Sequence, residues 1–118
     1  MERIERTALR NLIHNEEYSR KVLPFIKEDY FSDRLEKLLF RQIYNFITKF
    51  NALPTKEALS IEINDSKDIN EDEYKKITDI ISTLNPEKIN LEWLVETTEK
   101  FCKDRAIHNA ILGGIQII

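Results

Sequence analysis

The sequence predicts an all-α protein, because its composition favours helices and its apolar residues recur with helical spacing. Only two glycines and three prolines occur among 118 residues, so little of the chain is suited to hairpin turns. Hydrophobic residues make up 42% of the chain and charged residues 33%, which suits helices with one buried and one exposed face. The length is that of one domain with a core of its own. We therefore expect a compact bundle of about six helices.

The predicted helices follow one another with short connections. In chain order they cover about residues 2–15, 16–26, 33–52, 55–63 and 70–84, and the last starts near Asn90. Pro24 bends or ends the second helix, because a proline cannot donate the next helical hydrogen bond. The connector that follows carries adjacent Tyr30 and Phe31. We expect these two rings to fill the core, since large apolar side chains are costly to leave in water.

The third helix is the longest segment with one continuous apolar stripe. Asp33 and Glu36 have the spacing of an N-terminal capping pair, Pro54 ends the helix and Thr55 can cap the next one. We expect the buried stripe to comprise Leu35, Leu39, Ile43, Phe46 and Phe50, widened by Leu38, Tyr44 and Ile47.

The fifth helix begins with a second predicted capping pair. Asn70 and Glu73 have the required spacing, and Glu71 and Asp72 add negative charge where the helix dipole is positive. Such an acidic turn also suggests a cation site, but consecutive carboxylates on a first turn fan outward and do not converge. We interpret the cluster as a cap.

The last helix continues in an apolar series to the end of the chain. Gly113 and Gly114 interrupt it, and each costs about 1 kcal/mol of helix propensity relative to alanine. We expect the chain to be a fragment of a longer protein. The predicted division is a globular domain over residues 1–103 and the start of a truncated helical hairpin or linker over 104–118.

Two surfaces of this last helix are candidates for contacts with other proteins. The helix has little of its own chain left to cover its apolar strip, which predicts self-association. The candidate self-association residues are Ile107, Ile111, Leu112 and Ile115. The candidate partner surface is formed by Trp93, Arg105 and His108. For Trp93 we favour an intramolecular plug over the Asn85-Pro86 turn, with an interface as the alternative.

The motifs of catalysis and metal binding are absent from the sequence. Neither glycine is followed by lysine, so the chain has no phosphate-binding loop and no nucleotide cofactor is expected. The soft metal ligands His14, Cys102 and His108 are too few and badly spaced for zinc or for a Cys-His nucleophile. We therefore predict neither a catalytic nor a metal site.

The charge pattern gives the chief alternative function. The net charge of −3 disfavours a dedicated nucleic-acid clamp. Arg3, Arg6 and Arg10 nevertheless share one face of the first helix, which we interpret as a solvated face, with a phosphate-binding stripe as the alternative. No apolar run is long enough to span a bilayer, and the single Cys102 suits a reducing compartment. We expect a cytoplasmic location and no membrane contact.

Three segments together resemble the N-terminal domain of DnaB-family replicative helicases, most closely those of T-even-like bacteriophages. They are EEYSRKVLPFIKEDYF at 16–31, LFRQIYNFITKFNALPTKEAL at 39–59 and WLVETTEKFCKDRAIHNAI at 93–111. The resemblance implies an all-α collar domain whose last helix opens a helical hairpin, through which subunits pair on a hexameric ring. It also implies a separate motor domain that uses ATP and Mg²⁺.

The sequence therefore leaves two functions from different classes. The first is a collar domain, not itself an enzyme, that supports ring assembly and contacts primase or helicase loader in the host cytoplasm. The second is a small helical nucleic-acid-binding domain that uses the arginine face or a helix-turn-helix near residues 51–59.

Overall fold

In the computed structural model, residues 3–114 are described, and this part of the chain forms six α-helices with one short 3₁₀ turn and no strand. The helices are α1 Ile4–His14, α2 Glu16–Val22, α3 Arg34–Phe50, α4 Lys56–Asn64, α5 Glu71–Thr83 and α6 Leu91–Leu112, and the 3₁₀ turn is Glu28–Tyr30. The predicted all-α fold of about six helices is confirmed.

Side-chain caps set the starts of five helices. The cap residues accept hydrogen bonds from first-turn backbone N–H groups, which would otherwise lack a partner. They are Asn15, Asp33, Thr55, Asn70 and Asn90. The predicted capping box of α5 is complete, because the Glu73 side chain also accepts from the Asn70 N–H.

Helix α3 lies at the centre of the bundle. It packs against α1, the 3₁₀ turn, α4 and α5, while α6 packs against α1, α2 and the same turn. The core is built from apolar residues of every helix and of the connector, where Phe31 is fully buried as expected. Tyr30, its neighbour, is only partly buried at the edge of the core.

The predicted buried face of α3 was wrong in its last two turns. Phe50 is 51% exposed, and the partly buried Phe46 packs on it outside the core in a tilted arrangement, with ring centroids 4.8 Å apart. Tyr44 is also exposed. The buried residues of α3 are Glu36, Leu38, Leu39, Phe40 and Ile43. Beyond Ile43, Ile47 is the residue of α3 that packs against the core of the described residues.

The capping pair predicted for α3 is half formed. Asp33 accepts from the Glu36 N–H at 3.2 Å, but the Glu36 carboxylate turns inward and binds arginines of α1. Long-range charge pairing has here replaced the return bond of a capping box.

A candidate protein interface on helix α6

The candidate self-association residues lie on the exposed part of α6. Ile107 is 62% exposed, Ile111 71% and Leu112 72%, so three large aliphatic side chains near the end of this helix contact water. Ile115 lies outside the described residues. Exposed apolar residues grouped at one place often mark an interaction surface.

The buried side of α6 holds this helix on the bundle. Leu94, Thr98 and Cys102 are spaced by four residues and are all buried. The Thr98 hydroxyl donates to the Leu94 carbonyl at 2.7 Å, and its oxygen lies 2.8 Å from the Tyr18 hydroxyl of α2. Burial raises the pKa of the Cys102 thiol to about 11, so this cysteine stays a neutral packing residue near neutral pH.

Two polar contacts fix the direction in which the end of α6 leaves the bundle. Arg105 Nη2 lies 3.4 Å from Glu5 Oε2 of α1. Asn109 Nδ2 donates to the Asp29 carbonyl in the 3₁₀ turn at 2.9 Å. Because these contacts lie on the inner side, they leave the apolar side chains of this helix end facing outward.

The intramolecular plug predicted for Trp93 was wrong. Its side chain is 53% exposed. Trp93 lies in the first turn of α6, on the side of the helix away from the buried residues Leu94, Thr98 and Cys102. An exposed indole is a common interface residue, so the alternative that we kept open fits the structure.

Of the other two candidate partner residues, one is already bound within the chain. Arg105 is paired with Glu5 and lies over the Phe101 ring, 5.5 Å from its centroid. His108 is exposed and lies on the outer part of α6. The structure therefore leaves Trp93 and His108 available to a partner, and Arg105 largely committed to holding the helix in place.

The arginine face of α1 is neither fully solvated nor free to bind phosphate. Arg3 Nη2 and Arg6 Nε lie 2.7 and 3.0 Å from the same Glu36 oxygen, and Glu36 is fully buried. Arg3 also reaches Glu5, at 3.5 Å. Both of our interpretations of this face missed these pairs, because the partner of two arginines lies thirty residues away on α3.

Further polar contacts join α1 to the end of α5. Arg10 pairs with Glu87 at 3.3 Å and donates to the Thr83 carbonyl at 3.2 Å. His14 Nε2 donates to the Leu84 carbonyl at 2.6 Å. These side chains satisfy carbonyl groups that the end of α5 leaves without a helical partner. The helical spacing of Arg10 and His14 indicates that they share one face of α1, but it does not indicate that this face contacts the end of α5.

A groove between α2 and α3 is one of several concavities on the surface of the described residues. Its volume is about 360 Å³, and its lining includes Pro24, Phe40 and Tyr44. The charged groups at its edge, Glu28 and Arg41, bind each other, and the hydrogen bond from Arg41 holds the pKa of Glu28 below its usual value. Residues 3–114 contain no group of three or more potential metal ligands. No helix in this range is long and apolar enough to cross a membrane.

Comparison with known proteins relates this chain to a helicase. It is 31% identical over 109 residues to a protein described as "DnaB-like replicative helicase" from Enterobacteria phage T4. The match covers 92% of this chain. The resemblance to the DnaB-like replicative helicases is confirmed. No protein-family model matches the chain.

The relationship to the DnaB-like helicase concerns one part of that protein. The chain matches 23% of the length of the T4 helicase, a share consistent with an N-terminal domain. The six helices of the described residues pack around one core.

Proposed function

We propose that this chain is the N-terminal collar domain of a phage replicative DNA helicase, which supports hexamer assembly and contacts primase or helicase loader. The observation that carries this proposal is the match to the T4 helicase along nearly the whole chain. The all-helical fold and the exposed apolar end of α6 support it, because a collar acts through its surfaces.

The chemistry of unwinding belongs to a motor domain in this proposal. That domain would bind ATP and Mg²⁺ and couple hydrolysis to movement along DNA, in the cytoplasm of the host cell if a phage encodes the protein. The collar contributes no catalytic group. It holds neighbouring subunits together and presents surfaces such as Trp93 and His108 to other replication proteins.

The first experiment measures self-association of the chain by sedimentation velocity at tens of micromolar. The parent should sediment as an oligomer, and Ile111→Asp should shift it toward monomer without loss of helical circular dichroism, because a charge in an apolar contact is costly. Ile61→Asp is the matched control, since Ile61 is also exposed but lies on α4. A monomeric parent, or equal effects of both substitutions, would contradict the assembly role.

The second experiment tests the partner contacts. Purified primase and helicase loader from the same replication system are immobilised separately, and binding of the chain is measured by interferometry. Trp93→Ala and His108→Ala should weaken one of these interactions, and Tyr44→Ala, at an exposed site on α3, should not. Binding to neither protein would argue against this part of the collar function.

A further inference from the structure

A second exposed apolar surface lies where the end of α3 meets α4, and we call it the α3–α4 corner. It consists of Phe46, Phe50 and Ile61. Phe50 is 51% exposed and Ile61 is 62% exposed, while Phe46 packs on the Phe50 ring outside the core. In the described residues α4 packs on α3 and α5 and not on α6. The corner is therefore separate from the surface of α6 that carries Trp93 and His108.

A small notch lies between the two helices at this corner. Its volume is about 50 Å³, which is space for the end of one side chain. The two phenylalanine rings line it together with Lys49 and Glu62. The corner therefore offers a partner a cavity as well as an exposed apolar surface.

Three carboxylates of α4 and its end surround the apolar residues. Glu57 and Asp65 lie four residues before and after Ile61, so each stands about one helical turn from it. Glu62 lies at the notch. All three carboxylates are exposed, and none of them forms an ion pair with another described residue. Their charge is therefore available to a partner.

The two lysines near the corner do not neutralise these carboxylates. Lys49 lies over the Phe50 ring of its own helix, with its ammonium 5.3 Å from the ring centroid. Lys56 Nζ donates to the side-chain oxygen of Asn85 at 2.8 Å. The corner as a whole is therefore negative, and it attracts a cationic partner and repels an acidic one.

We propose that the α3–α4 corner docks a lysine-rich amphipathic helix of a partner protein. The apolar face of that helix covers Phe50 and Ile61 and places one side chain in the notch, and its lysines meet Glu57, Glu62 and Asp65. A helix suits the site because its lysines can stand one turn from its apolar contacts, which matches the spacing of the carboxylates around Ile61. This interaction goes beyond the proposed function and does not depend on assembly through α6.

Two designed peptides that differ only in charge serve as probes. Each forms an amphipathic helix of about five turns with leucine on one face, and the other face is lysine in one peptide and glutamate in the other. Fluorescence anisotropy measures their binding to the chain at low and at physiological salt. The lysine peptide should bind roughly tenfold more tightly than the glutamate peptide or better, and its Kd should rise with salt.

Variants of the chain locate the contact. Glu62→Lys should weaken binding of the lysine peptide roughly fivefold or more, whereas Asp79→Lys, the matched reversal at an exposed residue of α5, should have little effect. Phe50→Ala should also weaken binding, and Tyr44→Ala, at another exposed aromatic residue of α3, should not. Circular dichroism checks that each variant is folded.

Several results would overturn this proposal. They are equal binding of the two peptides, equal losses with Glu62→Lys and Asp79→Lys, and no binding of the lysine peptide at roughly 100 μM. If Trp93→Ala abolishes binding and Phe50→Ala does not, the basic helix docks on α6 and the assignment to the corner is wrong. None of these results bears on the sedimentation and partner experiments of the proposed function.

Discussion

At the scale of single residues, the Glu36 carboxylate is the most constrained charge in the described chain. It is fully buried, and one oxygen accepts from Arg3 and Arg6 while the other has no hydrogen-bond partner in the described residues. A buried carboxylate is tolerated only when cations compensate its desolvation. Glu36 therefore makes the position of α1 on α3 depend on charge pairing as well as on apolar packing.

Replacing Glu36 with glutamine tests this dependence. Glu36→Gln removes the negative charge and leaves two arginines facing a neutral amide, which should lower the free energy of unfolding by about 2–4 kcal/mol. Urea denaturation at neutral pH measures the change. Glu62→Gln, at an exposed residue of α4, should change stability by about 0.5 kcal/mol or less. Equal losses in the two variants would mean that the ion pairs add nothing.

The Tyr18 hydroxyl is a second buried polar group with a defined role. The Thr98 hydroxyl already donates to the Leu94 carbonyl, so its oxygen accepts from Tyr18. Burial raises the pKa of Tyr18 well above its usual value, and the hydrogen bond that Tyr18 donates to Thr98 is one that only the protonated phenol can make. The phenol therefore stays protonated in the folded state at pH values that ionise it in the unfolded chain.

This difference predicts a pH dependence with a definite sign. Because the folded pKa is raised, the contribution of Tyr18 is fully present below the unfolded pKa near 10 and is lost as pH rises above it. Tyr18→Phe should be less stable than the parent by about 1 kcal/mol near neutral pH. Above about pH 10 the advantage of the parent should shrink by up to about 1.4 kcal/mol per pH unit.

Urea denaturation of both proteins at neutral and alkaline pH measures this crossing. Cys102 also ionises at alkaline pH and interacts with Tyr18, so both proteins are compared in a Cys102→Ala background. Tyr44→Phe, at an exposed tyrosine, should show no such trend. A constant difference between the parent and Tyr18→Phe at all pH values would contradict the assigned burial.

At the scale of elements, the starts of the helices were predictable, whereas the buried face of α3 was predicted correctly only in its first turns. A cap such as Asn70 with Glu73 is a contact over three residues, so the local sequence contains all the information for it. The face of α3 depends on which other helices cover each turn. Phe46 and Phe50 continue the apolar period, but the bundle does not extend over them. The exposure of Trp93 was not predicted for the same reason, because it depends on which parts of the chain cover the first turn of α6.

The corrected face of α3 predicts a reversal of the expected mutational effects. Ile43→Ala should cost about 2–5 kcal/mol, because Ile43 is fully buried and truncation leaves a cavity. Phe46→Ala should cost less, about 1–2 kcal/mol, since it truncates a partly buried ring that lies outside the core and packs on the Phe50 ring. Thermal or urea denaturation of the two variants ranks them. A larger loss for Phe46→Ala would restore the original assignment of the face.

At the scale of the whole molecule, charge pairing joins helices that the apolar pattern alone would not have placed. Glu5 is bound by Arg3 of its own helix and by Arg105 of α6, while Glu36 binds α1 to α3. The sequence revealed the arginine series and the fold class. It did not reveal the pairs of Glu36 with α1 or of Glu5 with Arg105, because those partners are separated by 30 to 100 residues and only the completed fold brings them together. The relationship to the helicases was recognisable from the ordered segments.

These pairs also bear on the nucleic-acid-binding alternative. Phosphate binding requires clustered cations, and in an acidic chain the arginines of α1 are already held by carboxylates. Binding of single-stranded DNA at physiological ionic strength should therefore be weaker than roughly 100 μM. Fluorescence anisotropy measures it. Alanine substitution of the α1 arginines is a poor test, because it would also leave the buried Glu36 without a counter-charge.

The exposed basic residues of α2 provide the cleaner test. Among the described residues, Arg20 and Lys21 pair only with acidic residues of their own helix, so Arg20→Glu/Lys21→Glu changes surface charge without touching the core. If DNA binding is weak and nonspecific, the double variant should bind no better than the parent, and the affinity of the parent should fall steeply with salt. A sub-micromolar complex that this variant abolishes would instead place a DNA-binding surface on α2, and the acidic balance of the chain would then not have prevented it.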